Sequence, residues 1–160
     1  EIEEKEKPEE IIILGDLYYH GPRNELSQEY EPMKVAKILN SMKEKLTVIR
    51  GNCDAEVDEM ISEFKFNDHI LMEINGKKFY FTHGHKYNIE NIPYDDFDIM
   101  IYGHIHQGFI EEKEGLIFAN PGSISLPKCN TAHSYIILDE NKIILKDVDG
   151  KVIQEYEYDK

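Results

Sequence analysis

Basic charge, cysteine and long apolar runs are all scarce in this chain of 160 residues. Lysine and arginine number 18 against 32 aspartates and glutamates, for a net charge of −14 with histidine neutral. Such an acidic domain repels a phosphate backbone, which argues against general nucleic-acid binding. A local cationic patch or a bound metal would still attract a phosphorylated small molecule. The only cysteines, Cys53 and Cys129, lie far apart and form no disulfide framework, so a reducing, cytoplasmic setting is expected. No apolar run approaches the ~18–20 residues of a spanning helix, and Glu1–Glu10 is too charged for a signal-peptide core. A membrane is therefore not an expected partner. Internal repeats, linkers and low-complexity tracts are also missing, and the length suits a single domain over residues 1–160.

Short apolar runs punctuated by glycine are what the chain does have. Glu1–Glu10 reads as a charged helix end stopped near Pro8. Ile11–Leu14 reads as a buried strand ending at Gly15-Asp16, followed by a long loop, Leu17–Glu31. Pro32 suits the first turn of a helix that continues through Met33, Ala36, Leu39 and Met42 towards Leu46. Thr47–Ile49 is a second strand, ending at Gly51-Asn52-Cys53-Asp54. Asp54 is expected to cap a helix over Ala55–Phe64. Strand, loop and helix in alternation indicate an α/β first half. The second half turns to strands: His69–Ile74 and Lys77–Thr82 around Asn75-Gly76, then Phe97–Tyr102, Leu116–Ala119, Ser134–Leu138, Lys142–Val148 and Lys151–Glu157, with Asp149-Gly150 as another hairpin turn. The expected architecture is two packed β-sheets with helices outside.

Several of these strands end on a residue of metal-ligand type: Asp16 after Gly15, Asn52 after Gly51, His83 before Gly84, and His104 and His106 after Gly103. Strand C-terminal ends of an α/β sheet open into one crevice, which would gather residues distant in sequence. Taken singly, Asp16 and Asn52 also fit ordinary turns, and His83 fits a solvated one. The His104-Ile105-His106 pair is more specific, and the conjunction is more specific still. Mixed oxygen and imidazole donors suit Mn²⁺, Fe or Zn²⁺ rather than a thiolate site.

In this order, Gly15-Asp16, Gly51-Asn52, His83 and Gly103-His104-Ile105-His106 resemble the calcineurin-like metallophosphoesterase superfamily. Within it, the small YfcE-like phosphodiesterases of bacteria and archaea are the nearer likeness. Supporting stretches are His20-Gly21-Pro22-Arg23-Asn24, Arg50-Gly51-Asn52-Cys53-Asp54, Thr82-His83-Gly84-His85 and Asn120-Pro121-Gly122-Ser123. The resemblance implies an αββα sandwich holding two divalent ions. Asp16 would bridge them, Asn52, His83 and His104 would complete one ion, and His106 would bind the other. Manganese is the expected metal, with zinc, iron, nickel and magnesium as alternatives. Two such ions can hold a hydroxide for in-line attack on phosphorus.

The chain departs from the family pattern in two ways. The family opens with an Asp-x-His turn whose residues bind the second ion, and none precedes Asp16. About 20–25 residues, a strand and most of a helix, are therefore expected upstream of Glu1. This chain alone is expected to hold one ion or none. Many relatives also carry a histidine after the asparagine as proton donor, where this chain has Cys53, as the YfcE-like branch does. A thiol is a weaker acid than imidazolium, so aryl leaving groups are favoured and His85 becomes the candidate donor, with His20 second. A surface or supporting histidine is the alternative for His85. Arg23 suits a non-bridging phosphate oxygen, or else an ordinary salt bridge. The Asn120–Ser123 turn is expected to line the site, His69 and His133 to be structural, and Cys129 to be a small packed residue.

The expected function is metal-dependent hydrolysis of a small organic phosphodiester, in the class of phosphoric diester hydrolases. The alternatives are a phosphomonoesterase on the same site, or a catalytically impaired scaffold resembling the phosphoesterase-like subunit of retromer. Relatives are often dimers or tetramers, so a homo-oligomer is compatible.

Overall fold

The computed structural model describes residues 1–158. In chain order the elements are α1 (Ile2–Glu6), β1 (Ile11–Ile13), α2 (Pro32–Ser41), a 3₁₀ turn (Lys43–Lys45), β2 (Leu46–Ile49), α3 (Glu56–Met60), β3 (Phe66–Asn67), β4 (His69–Ile74), β5 (Lys77–Thr82), β6 (Ile99–Tyr102), β7 (Gly108–Lys113), β8 (Leu116–Pro121), β9 (Ser134–Asp139), β10 (Lys142–Asp147) and β11 (Val152–Glu157). They form a five-stranded sheet in the order β4-β5-β6-β8-β7 and two three-stranded sheets, β1-β2-β3 and β11-β10-β9.

The β1-β2-β3 sheet is parallel, as are the β5–β6 and β6–β8 pairs in the centre of the large sheet. The C-terminal sheet is an antiparallel meander. Both small sheets face the same side of the large one. Their Ile49, Ile143 and Leu145 join Phe79, Phe81, Ile99, Ile101, Ile117 and Ala119 in one buried cluster. The layer opposite the large sheet is thus built in two pieces. The run Ile11–Leu14 is apolar throughout because both faces of β1 are covered. Ile12 and Leu14 pack towards the large sheet, whereas Ile13 packs with Ala36 and Leu39 of α2. On the other face of the large sheet, Tyr80, Met100, Tyr102 and Phe118 are covered by Tyr87, Ile89 and Phe97 from the segment between β5 and β6.

The structure differs from the sequence reading at several points. The helix expected over Ala55–Phe64 is shorter, Glu56–Met60, and Asp54 does not cap it. Asp58 instead accepts from the Ala55 N–H at 2.8 Å, while the Asp54 carboxylate turns to the loops at the strand ends. Strand β7 was not foreseen. Its second half, Glu111-Glu112-Lys113, is charged, and the turn into β8 uses Glu114 and Gly115, both at positive φ (53° and 81°), where a turn would usually show Asn or Asp. Cys129 is not packed. It is exposed, at φ 54° in a turn.

Candidate metal centre

Two parallel strands from each of two sheets, β1 and β2, β5 and β6, deliver their C-terminal ends to one place. Gly15 (φ 102°) and Gly51 let the first two loops touch backbone to backbone. A Cβ on Gly15 would stand 2.5 Å from Gly51 N and 2.8 Å from His83 Nδ1, and one on Gly51 would collide with the Asp16 carboxylate. Only glycine fits either position. Asp54 then staples the two loops: its carboxylate accepts the N–H groups of Asp16 (2.9 Å), Leu17 (3.0 Å) and Gly51 (2.7 Å). The sequence reading assigned Asp54 to a helix cap, and nothing local to the sequence reveals this role.

His83 stands at the centre and is 2% exposed. Its Nδ1–H donates to the Leu14 carbonyl at 2.6 Å, which turns the Nε2 lone pair inward. Around that nitrogen stand Asn52 Oδ1 at 2.9 Å, His104 Nδ1 at 3.1 Å and Asp16 Oδ2 at 3.3 Å. Ligand atoms of Asp16, His83 and His104 all lie within 4.8 Å of one another. These four residues present acceptors to each other. A single proton on His104 Nδ1 can satisfy only one of the contacts, leaving lone pairs facing lone pairs in a half-buried space. A cation complements all of them, so the donor set fits a divalent metal. Burial works to raise the Asp16 carboxyl, but His83, the Cys53 N–H (3.0 Å) and His104 together hold it below its ordinary range, in the ligating form. Burial and neighbouring His83 lower His104, which favours the neutral, ligating imidazole.

His104 and His106 both sit at positive φ (67° and 57°). Asn120, fully buried, donates to the Gly103 carbonyl at 2.8 Å and accepts from Gly122 N at 2.9 Å. Asn120 therefore fixes the loop that carries His104, and the Asn120–Ser123 turn, expected to line the site with its backbone, is not among the cleft-lining residues. His106 is not part of the Asp16–His83–His104 group. Its Nδ1–H donates to the Leu126 carbonyl at 2.8 Å, leaving the Nε2 lone pair for any ligand, and burial lowers its pKa. Two rings close in sequence are thus held by different partners.

Beside the cluster lies a cleft of about 410 Å³ whose lining includes Asp16, Asn52, His104 and His106 together with Arg23, Cys53 and Lys128. Arg23 makes no ion pair among the described residues. Its loop is tied by Asn24 to the His20 carbonyl (2.5 Å) and by Tyr30 to the Tyr18 carbonyl (2.5 Å). Burial pushes the Cys53 thiol up, with Asp16 and Asp54 adding to the effect, so Cys53 is a protonated thiol at neutral pH. His85 is exposed and outside the cleft lining, with its ring 5.4 Å from that of His83 and 6.1 Å from that of His104. Burial and His83 lower its pKa. His69 and His133 take no part in the cleft: His69 stacks on Tyr80 (5.2 Å), and His133 bonds to the Ile124 carbonyl (2.9 Å).

Residues 1–142 match the calcineurin-like phosphoesterase superfamily domain. The chain is 40% identical over 135 residues to phosphodiesterase YfcE of Escherichia coli K12, covering 82% of this chain and 72% of that one. The solved structure of the E. coli phosphoesterase Yfce superposes with a TM-score of 0.94 at 32% identity, over 99% of this chain and 88% of that one. A Vps29 structure from Entamoeba histolytica shares the fold alone, with a TM-score of 0.55 at 20% identity over 92% of this chain and 99% of that one. With its strand-end carboxylate, asparagine and histidines gathered around one cation-shaped gap, the chain belongs to the calcineurin-like phosphoesterase superfamily.

Proposed function

We propose that the chain is a metal-dependent phosphodiesterase acting on a small organic phosphodiester. The observation that carries the proposal is the gathering of Asp16, Asn52, His83 and His104 with acceptor facing acceptor. A carboxylate, an amide oxygen and two imidazoles would hold a divalent ion, and Mn²⁺ is the ion we favour for this donor set. The sequence similarity to a phosphodiesterase supports the diester as substrate.

Bound metal would supply Lewis acidity and an activated water near neutral pH. The residues of the chain do the rest. His83 is locked in its ligating tautomer by the Leu14 carbonyl, and the Asp54 staple keeps Asp16 and the Gly51 loop in register. His106, oriented by Leu126, would serve a second ion with Asp16. Arg23, unpaired on a tied loop, would grip a non-bridging oxygen of the phosphate. Cys53 keeps its proton and would stand close to the phosphate that Arg23 holds, while His85 would give up a proton from the open side. Cys53 is a weak acid and little of His85 is protonated at neutral pH, so acidic leaving alcohols such as phenols would react best.

The test is hydrolysis of an aryl phosphodiester with added Mn²⁺, comparing the protein with His104→Ala. Loss of turnover and of Mn²⁺ binding is expected, and unchanged turnover in the variant would reject the proposal. The phosphodiesterase reading is favoured over a scaffold because Asp16, Asn52, His83 and His104 still offer a donor set that would suit a divalent ion.

A further inference from the structure

The cleft reverses the electrostatics of the chain around it. Among its lining residues the only carboxylate is Asp16, which belongs to the metal set, while Arg23 and Lys128 bring two positive charges. The chain as a whole has 32 acidic residues against 18 basic ones. Elsewhere some cations, such as Lys43, Arg50, Lys142 and Lys146, are paired with carboxylates, and others, such as Lys37, Lys65 and Lys77, make no ion pair among the described residues, so what sets the cleft apart is two cations with a single carboxylate. Arg23 and Lys128 likewise make no ion pair among the described residues.

The two cations act on different parts of the cleft. The charge of Arg23 is felt at Cys53 and that of Lys128 at His106. The backbone of Lys128 is fixed while its side chain is free. Its N–H donates to the His106 carbonyl (2.8 Å), and its own carbonyl accepts from Thr131 N (3.1 Å) and Thr131 Oγ1 (2.7 Å). Cys129 and Asn130 complete the turn at φ 54° and 61°. His20, which also lines the cleft, has a buried Nε2 with no hydrogen-bond partner. A phosphodiester carries one negative charge, which Arg23 can meet alone. A volume of about 410 Å³ leaves room for more than the phosphate.

We propose that the substrate is a phosphodiester with a second anionic group on one arm, a phosphate, carboxylate or sulfate, and that Lys128 is the specificity-determining residue that receives it. This rests on the phosphodiesterase reading above. An anionic arm reaching the His106 side of the cleft meets Lys128. A neutral arm leaves it unused.

The experiment compares three aryl phosphodiesters with Mn²⁺ and the intact protein: one with an uncharged alkyl arm, one with a carboxylate arm and one with a phosphate arm. The expected result is a kcat/KM about two- to fivefold higher for the charged arms at low salt, as for one added ion pair near a surface. The preference should shrink as salt is added, vanish in Lys128→Gln and persist in Lys128→Arg. The carboxylate and phosphate arms separate a general anion site from a phosphate site. An equal rate for all three, or a preference that Lys128→Gln leaves intact, overturns the inference. Failure to hydrolyse any of them rejects the phosphodiesterase reading instead. Calorimetric binding of the same three compounds to the protein and to Lys128→Gln then decides the inference by itself, and equal affinities overturn it.

Discussion

At the ends of β1, β2, β5 and β6, polar side chains face groups of their own kind: an amide oxygen, a carboxylate and a second imidazole crowd the Nε2 of His83. In and around the C-terminal meander, several polar groups meet their complements. Glu6 accepts from the Tyr135 hydroxyl (2.6 Å) and pairs with Lys146 (2.9 Å). Gln154 of β11 accepts from Ile110 N (3.0 Å) and donates to Ile110 O (2.6 Å), so one amide side chain satisfies backbone of the edge strand β7. One region is built to be stable alone, and the other is built to be completed by a cation. The contrast teaches where to look for function in this fold. Unmatched lone pairs cost stability, and a protein retains them where a ligand repays that cost.

The contrast is sharpest at His104. Removing the ring with His104→Ala is expected to reduce Mn²⁺-dependent hydrolysis on the order of a hundredfold or more, since loss of groups that merely orient ligands already costs ~10–100-fold. In chelator, the same substitution should leave the melting temperature nearly unchanged, because the ring removed was making mostly unmatched contacts. A large metal-free destabilisation would break the comparison. Asn120→Ala comes next. Asn120 is fully buried and holds the Gly103 carbonyl, so its loss is expected to lower Mn²⁺ affinity by about tenfold and stability by about 1–3 kcal/mol, read by calorimetry and denaturant unfolding.

In the meander the tests concern stability alone. Hydrogen bonding from Tyr135, with help from Lys146, holds the Glu6 carboxyl below its ordinary range, and burial, with Glu6 adding to it, pushes the Tyr135 hydroxyl up to about 12. A carboxyl lowered on folding contributes stability that is full above its unfolded pKa of ~4.3 and fades as pH falls through the lower folded value. Glu6→Gln should therefore cost about 1–2 kcal/mol at pH 7 and almost nothing in strong acid, with no effect on metal binding. A difference that grows in acid would contradict this sign. The smallest effect is expected from Gln154→Ala, about 1 kcal/mol in unfolding experiments, with no change in turnover.

Much of this was legible in the chain. The Ile11–Leu14 run, the Asn75-Gly76 hairpin (φ 49° and 78°) and the placing of Asp16, Asn52, His83 and His104 at strand ends obey rules that act over a few residues. The Asp54 staple was not legible, because it joins residues 37 and 38 positions apart. A carboxylate two residues after Asn52 looks the same whether it caps a helix or clamps a loop. Lys128 was overlooked for a similar reason. On its own it is one lysine among many, and only the turn that bonds to the His106 carbonyl brings it to the cleft.

By itself, the sequence determined which residues could bind a metal and which strands would carry them, since side-chain chemistry and local periodicity are written residue by residue. Only the tertiary structure decided that Asp16, Asn52, His83 and His104 share one gap while His106 is held apart, that two glycines allow the loops to touch, and that two unpaired cations face the same cleft. Those outcomes depend on how three sheets pack on one core, and that packing is fixed by contacts between residues far apart in the chain.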